Sequence, residues 1–235
     1  ELSKLVNNMD IRENENTSIK IININPEPIG IITLPRNKHL KYKKEIKKIW
    51  KTASEELIQQ FEHEKNTKHI CNTSDQHFFK SFPQLNELQS IIKESVVSYL
   101  KIIGYLTEEI IINSAWLNNA EKNATLDFHY HENSFISGNY FVNFDPSKHS
   151  LLSFINDRIP YARNPDFPVM TIPYNIEEPT IYNTTLVNVN AIEGQILLWR
   201  SNNKHGYRLK NKAIDRLTLS FNTLPTILDN GSYKF

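Results

Sequence analysis

The chain has 235 residues, a formal charge of +1, a single cysteine (Cys71) and 39% hydrophobic residues. That length suits one large domain with a complete core, and the near-neutral balance gives no global electrostatic case for nucleic acid or a membrane surface. One cysteine excludes an intrachain disulfide framework and a thiolate metal cluster; no apolar run approaches the roughly 20 residues a membrane helix needs, and no signal-peptide pattern is present, so a cytoplasmic setting is the expectation.

Residues 1–18 are polar and aperiodic and read as a lead-in to one domain over 19–235, with strands and helices over 19–107 and a β-rich core over 108–235. β-branched runs at 19–24 and 29–34 flank Asn-Pro-Glu-Pro and predict two short strands around a turn. Over residues 39–64, Ile46, Ile49, Trp50, Ala53, Leu57 and Phe61 recur at helical steps. Lys44, Lys47, Lys48 and Lys51 fall on the other side, which reads as a solvated outer face. Residues 69–81 carry no assignable pattern. A second helix over 83–103 begins at Pro83, buries Leu85, Leu88, Ile92, Val96, Tyr99 and Ile103, and stops at Gly104.

Beyond Glu108 the texture changes to eight short strand-like runs, at 110–116, 124–131, 135–144, 151–155, 184–189, 195–199, 206–209 and 216–221. This pattern predicts a mainly β core of jelly-roll or double-stranded β-helix type, buttressed by the two preceding helices. Residues 156–182 interrupt the strands with five prolines, and a loop that long reads as a lid.

Three histidines and one arginine stand out in this core. His129 and His131 are two apart, and side chains at i and i+2 of a strand share one face. His205, after a short polar loop, can close a facial metal triad that leaves positions for a co-substrate and oxygen. In the strand from Arg216, the residues Leu217, Leu219 and Phe221 alternate with Arg216, Thr218, Ser220 and Asn222. A guanidinium inside a barrel needs an anionic partner, and a dicarboxylate co-substrate supplies one, with Thr218 adding a hydroxyl.

Ala115-Trp-Leu-Asn, His129-x-His131-x-Asn133-Ser, Ser137-Gly-x-Tyr140-Phe, Glu193-Gly, His205 and Arg216-Leu-Thr-Leu-Ser-Phe-Asn together resemble the 2-oxoglutarate/Fe(II) oxygenases, in particular the branch common in marine bacteria and their phages. The likeness covers about residues 110–223. It implies a double-stranded β-helix, Fe(II) held by His129, His131 and His205, and 2-oxoglutarate held by Arg216, with Thr218 and Tyr140 as further candidates for holding it. O2 is the further co-substrate, and Asn118, Asp127, Asn133, Ser137 and Trp199 are candidates for touching the substrate or supporting the ligands.

One departure matters, because the wider superfamily uses His-x-Asp/Glu where this chain has His131. Asp127 and Glu132 are nearby carboxylates that could substitute or support. The leading expectation is an Fe(II)/2-oxoglutarate-dependent dioxygenase hydroxylating a small molecule or a side chain. A three-histidine cupin-like oxygenase or isomerase that does not use 2-oxoglutarate is one alternative. A non-catalytic β-barrel module, gripping nucleic acid through the lysine helix, is another.

Overall fold

The computed structural model describes residues 11–13, 18–20, 27–60, 65–71, 77–155, 184, 186–228 and 233–234. The lid reading for residues 156–182 therefore lies outside the described residues, as does most of the strand expected at 19–24. Near the start, β1 (Ile11–Glu13) pairs antiparallel with β2 (Ser18–Lys20).

β3 (Gly30–Thr33) leads through Pro35 into α1 (Arg36–Thr52). His39, Tyr42, Ile46 and Ile49 are its buried residues, spaced as one helical face. The helix is shorter than the sequence period suggests. Ala53 takes an extended conformation, and after one 3-10 turn the chain becomes β4 (Ile58–Gln59), which pairs with β5 (Lys65–Ile70). The apolar residue at 57 keeps the helical step, but the β-branched Ile58 finds a strand partner in Ile70 instead. Of the predicted lysine face, Lys44, Lys48 and Lys51 are exposed and Lys47 donates to Asn143 Oδ1, while Lys38 and Lys41 reach Glu87 and Lys43 reaches Glu193.

β5 ends inside the stretch that carries no sequence pattern, and α2 (Phe78–Ser81) lies within it. Pro83 opens a 3-10 turn that runs into α3 (Asn86–Ile102), whose buried face is Leu88, Ile92, Val96, Tyr99 and Leu100. Gly104 ends it with φ of 94°, a left-handed position that costs glycine little.

The two runs expected at 110–116 and 124–131 are one 20-residue strand, β6 (Ile110–His129). The others are β7 (Ile136–Asn143), β8 (Leu152–Ile155), β9 (Leu186–Val189), β10 (Gln195–Arg200), β11 (His205–Tyr207) and β12 (Arg216–Pro225). β13 (Ile227–Leu228) and β14 (Tyr233–Lys234) form a last hairpin. The main order is β3-β10-β7-β12-β6-β11-β8-β9, with β5 also on β6 and β4 on β5. β6 belongs to both layers. Its first part pairs with β12 and its last part with β11, so the sheet curls over on itself.

This is a double-stranded β-helix, as expected. The alternation of β12 sorts its two faces. Leu217, Leu219 and Phe221 join Tyr140, Val142, Ile196 and Leu198 against the helices, in a core that also holds Ile46, Ile92 and Val96. Each such fully buried aliphatic or aromatic residue stabilises the fold by about 1.5–3 kcal/mol. Phe141, Phe144, Leu152, Phe154, Leu197 and Trp199 form a smaller buried cluster. No helix of the described residues is long and apolar enough to cross a membrane.

Candidate metal and co-substrate site

A cavity of about 380 Å³ opens into the barrel. His129, His131, His205, Arg216, Thr218, Asn118, Asn133, Ser137 and Trp199 all line it. The long strand β6 brings His129 beside β11, where His205 is its register partner. His131 lies just beyond the strand, held by its backbone N–H donating to Ser201 O at 2.9 Å. The candidate ligand atoms of the three imidazoles all lie within 4.8 Å of one another.

Two of the rings are aimed by backbone carbonyls. His129 Nδ1–H donates to Asp127 O at 2.9 Å, and His205 Nδ1–H donates to Asn203 O at 2.9 Å. Each bond places the proton on Nδ1 and leaves the Nε2 lone pair for a metal. Burial lowers the His131 pKa to about 4, helped by the charge of His129. Burial likewise lowers His205 to about 3, with His129 again the next cause. Both rings are therefore neutral at pH 7, as ligation requires.

The close approach of β11 to β6 has a sequence signature in Gly206. A Cβ on Gly206 would sit 2.7 Å from Leu126 O and 2.9 Å from Asp127 O. Only glycine lets His205 reach its place beside His129.

Arg216 is 2% exposed. Its Nε–H donates to Ser150 O at 3.1 Å, and the guanidinium stacks over Tyr207 at 4.5 Å and Phe144 at 5.5 Å. Its Nη2 has no hydrogen-bond partner, and neither does the Oγ of Thr218 on the same face. No carboxylate pairs with it among the described residues. Burial presses its pKa down from the usual arginine value, yet guanidinium does not lose its proton in proteins. An unpaired buried cation at the end of an open cavity calls for an anion.

Tyr140 is a correction to the sequence reading. Along β7 the inward residues are Asn139 and Phe141, so Tyr140 points to the helix side, fully buried, with His39 Nδ1 2.7 Å from its hydroxyl. The tight match to the Ser-Gly-x-Tyr motif obscured the period of two, which selects Asn139 instead. Asp127 and Glu132 are corrections as well. Both are exposed and neither belongs to the imidazole group; Asp127 contributes its carbonyl, and Glu132 accepts from the Tyr130 hydroxyl at 3.1 Å. Asn133 stands at the exposed rim, with its carbonyl accepting from Asn113. Ser137 donates to Asn222 Oδ1 at 2.7 Å and contacts Ser201 Oγ at 2.8 Å.

The structure also brings in residues that sequence reasoning missed. His69 and Thr67 on β5, Trp116 on β6, Asn139 on β7 and Tyr207 on β11 line the same cavity. Trp116 packs against His131 with ring centroids 5.9 Å apart. No pattern marked β5 as a cavity wall, because it joins the sheet only through long-range pairing with β6.

Fold and cavity together define the jelly-roll class to which 2OG-Fe(II) oxygenases belong. Residues 114–222, which contain all four of the residues singled out above, match the family described as "Putative 2OG-Fe(II) oxygenase". The resemblance found in the sequence is thus supported at the family level over that segment. Similar solved structures include the non-heme alpha ketoglutarate dependent epimerase SnoN from nogalamycin biosynthesis, with a TM-score of 0.60, 10% identity and coverage of 86% of this chain and 80% of that one. HygX from Streptomyces hygroscopicus, with nickel, 2-oxoglutarate and hygromycin B bound, gives a TM-score of 0.52 at 12% identity, covering 85% and 84%. An oxidoreductase of the 2OG-Fe(II) oxygenase family from Burkholderia pseudomallei gives 0.52 at 9%, covering 83% and 84%. At these identities the likeness is one of fold. No curated protein matches the sequence.

Proposed function

We propose that this protein is an Fe(II)/2-oxoglutarate-dependent dioxygenase that hydroxylates a small molecule or a side chain, with His129, His131 and His205 as the metal ligands. The observation that carries the reading is the buried, unpaired guanidinium of Arg216 in the same cavity as three clustered imidazoles. The donor set fits iron, since imidazole nitrogen suits it and three ligands on one side leave further positions open. Arg216 Nη2 and Thr218 Oγ fit the far carboxylate of 2-oxoglutarate, because both lack partners and both face the cavity.

Bound iron supplies the activation of O2 coupled to oxidation of the 2-oxo acid. The balance is R–H plus 2-oxoglutarate plus O2 giving R–OH, succinate and CO2, with one oxygen atom in each oxidised product. The protein's own part is to hold and orient. The carbonyls of Asp127 and Asn203 fix the imidazoles of His129 and His205, Arg216 and Thr218 anchor the diacid, and the apolar cluster around Phe154 and Leu197 packs beside His205 and Arg216. The test is oxygen-dependent succinate formation by the iron-loaded protein, which should be lost in Arg216→Ala.

One observation favours a second reading. The group contains no carboxylate, and an all-imidazole set is the ligation of cupin-type oxygenases that bind substrate directly on the metal. That reading expects turnover without 2-oxoglutarate and an Arg216→Ala variant of full activity.

A further inference from the structure

A chain of side-chain hydrogen bonds crosses four strands inside the barrel, and all of its donors point the same way. His69 Nδ1–H donates to Asn118 Oδ1 at 2.5 Å, and Asn118 Nδ2 donates to Ser220 Oγ at 2.7 Å. Ser220 then donates to Asn139 Oδ1 at 3.4 Å. With its oxygen end occupied, Asn139 presents its Nδ2 hydrogens, and that nitrogen has no protein hydrogen bond among the described residues. Asn139 is 6% exposed and lines the cavity.

A second donor stands beside it. Trp199 is 3% exposed, lines the same cavity, and its Nε1–H has no partner. In the β10–β7 register Leu197 faces Asn139 and Trp199 faces Ser137, so Asn139 and Trp199 are diagonal neighbours on the inner face. Buried indole N–H groups ordinarily have a partner, and an indole can only donate. Two adjacent donors without acceptors in the protein call for acceptor oxygens from a ligand.

We infer that Asn139 and Trp199 are a paired donor site for the oxygens at the metal-facing end of 2-oxoglutarate, with His69, Asn118 and Ser220 as positioning residues; this rests on the function proposed above. The placement follows β12. Arg216, Thr218 and Ser220 succeed one another on its inner face at about 6.6 Å per step, and Ser220 is the register partner of Asn139. A diacid anchored by Arg216 and Thr218 therefore runs toward the level of Asn139. There Trp199 packs against His205 with ring centroids 4.8 Å apart, which sets the indole beside the imidazole group.

The experiment uses the 15N-labelled chain loaded with zinc, a diamagnetic stand-in for iron, and titrates 2-oxoglutarate. The three indole resonances belong to Trp50, Trp116 and Trp199. Trp199→Phe assigns the relevant one, or Trp50→Phe and Trp116→Phe do so by elimination if that variant fails to fold. The Trp199 indole proton should move downfield saturably. Trp199→Phe and Asn139→Leu should each weaken 2-oxoglutarate about tenfold or more. Ser220→Ala should weaken it by a smaller factor, and Ser220→Thr, which keeps the hydroxyl, should restore it. If 2-oxoglutarate binds with the Trp199 resonance unmoved and with full affinity in both variants, the donor pair is overturned and the proposed function stands. Failure of 2-oxoglutarate to bind the zinc protein at all, by calorimetry, overturns both.

Discussion

Arg216 Nε–H donates to the carbonyl of Ser150 at 3.1 Å, and this one bond aims the guanidinium while leaving Nη2 without a partner. Tyr207 and Phe144 hold the plane from its faces. Arg216→Ala should weaken 2-oxoglutarate by at least a hundredfold, the loss of about 3 kcal/mol expected for a buried bidentate charge pair. Arg216→Lys should recover only part of that, because a lysine cannot keep the Ser150 bond and a planar grip together. Thr218→Val, which keeps the shape and removes the hydroxyl, should cost about tenfold. Isothermal titration of each variant checks all three.

Gly206 is the backbone condition for the imidazole cluster. Gly206→Ala must push β11 away from the carbonyls of Leu126 and Asp127. The expected cost is about 1–3 kcal/mol of stability, together with loss of metal affinity, since His205 moves with its strand. Zinc binding measured beside a urea titration separates the two effects. Unchanged zinc affinity in a folded Gly206→Ala variant would count against the cluster as a metal site.

Tyr140 belongs to a clasp between helix and sheet. His39 Nδ1 lies 2.7 Å from its hydroxyl, while His39 Nε2 meets Glu193 Oε1 at 3.1 Å. Tyr140→Phe leaves a buried imidazole nitrogen without its partner and should cost about 1–3 kcal/mol in stability. Its affinity for 2-oxoglutarate should match the parent protein, because the ring faces the helices and not the cavity.

The metal-free protein should lose stability in acid. Folding holds His131 at about 4 and His205 at about 3, both below the ordinary value of 6.5. Between 6.5 and those values the unfolded chain binds more protons than the folded one, so stability rises with pH through that window. It is complete above about pH 6.5 and declines as pH falls toward 4, by up to about 1.4 kcal/mol per pH unit for each ring. Urea midpoints at pH 7, 6 and 5 measure the decline. His205→Gln, which does not titrate, should flatten the curve.

The periodic features of the fold were legible in the sequence, and the long-range ones were not. The alternation from Arg216 to Asn222 placed one face inward correctly, and the stripe from Leu88 to Tyr99 marked the buried face of α3. The end of α1 is not marked in the sequence, because Leu57 keeps helical spacing after the backbone has become extended at Ala53. β5 was invisible because its partner β6 is far along the chain and its alternation is interrupted at Asn66, which takes a positive φ. At the site, local patterns point to His129, His131, His205 and Arg216, which line one cavity, whereas the motif at Tyr140 misleads where strand parity selects Asn139.

On the function proposed, the three imidazoles and Arg216 hold one metal ion and one 2-oxo diacid together. Anaerobic titration of the purified chain with Fe(II) and then 2-oxoglutarate reports on both ligands at once. A weak visible charge-transfer band should appear only when both are present, saturate at one equivalent of each, and vanish in His205→Gln. In Arg216→Ala it should require at least a hundredfold more 2-oxoglutarate. Iron binding with no band at any 2-oxoglutarate concentration, or a band indifferent to Arg216, would rule out this joint site.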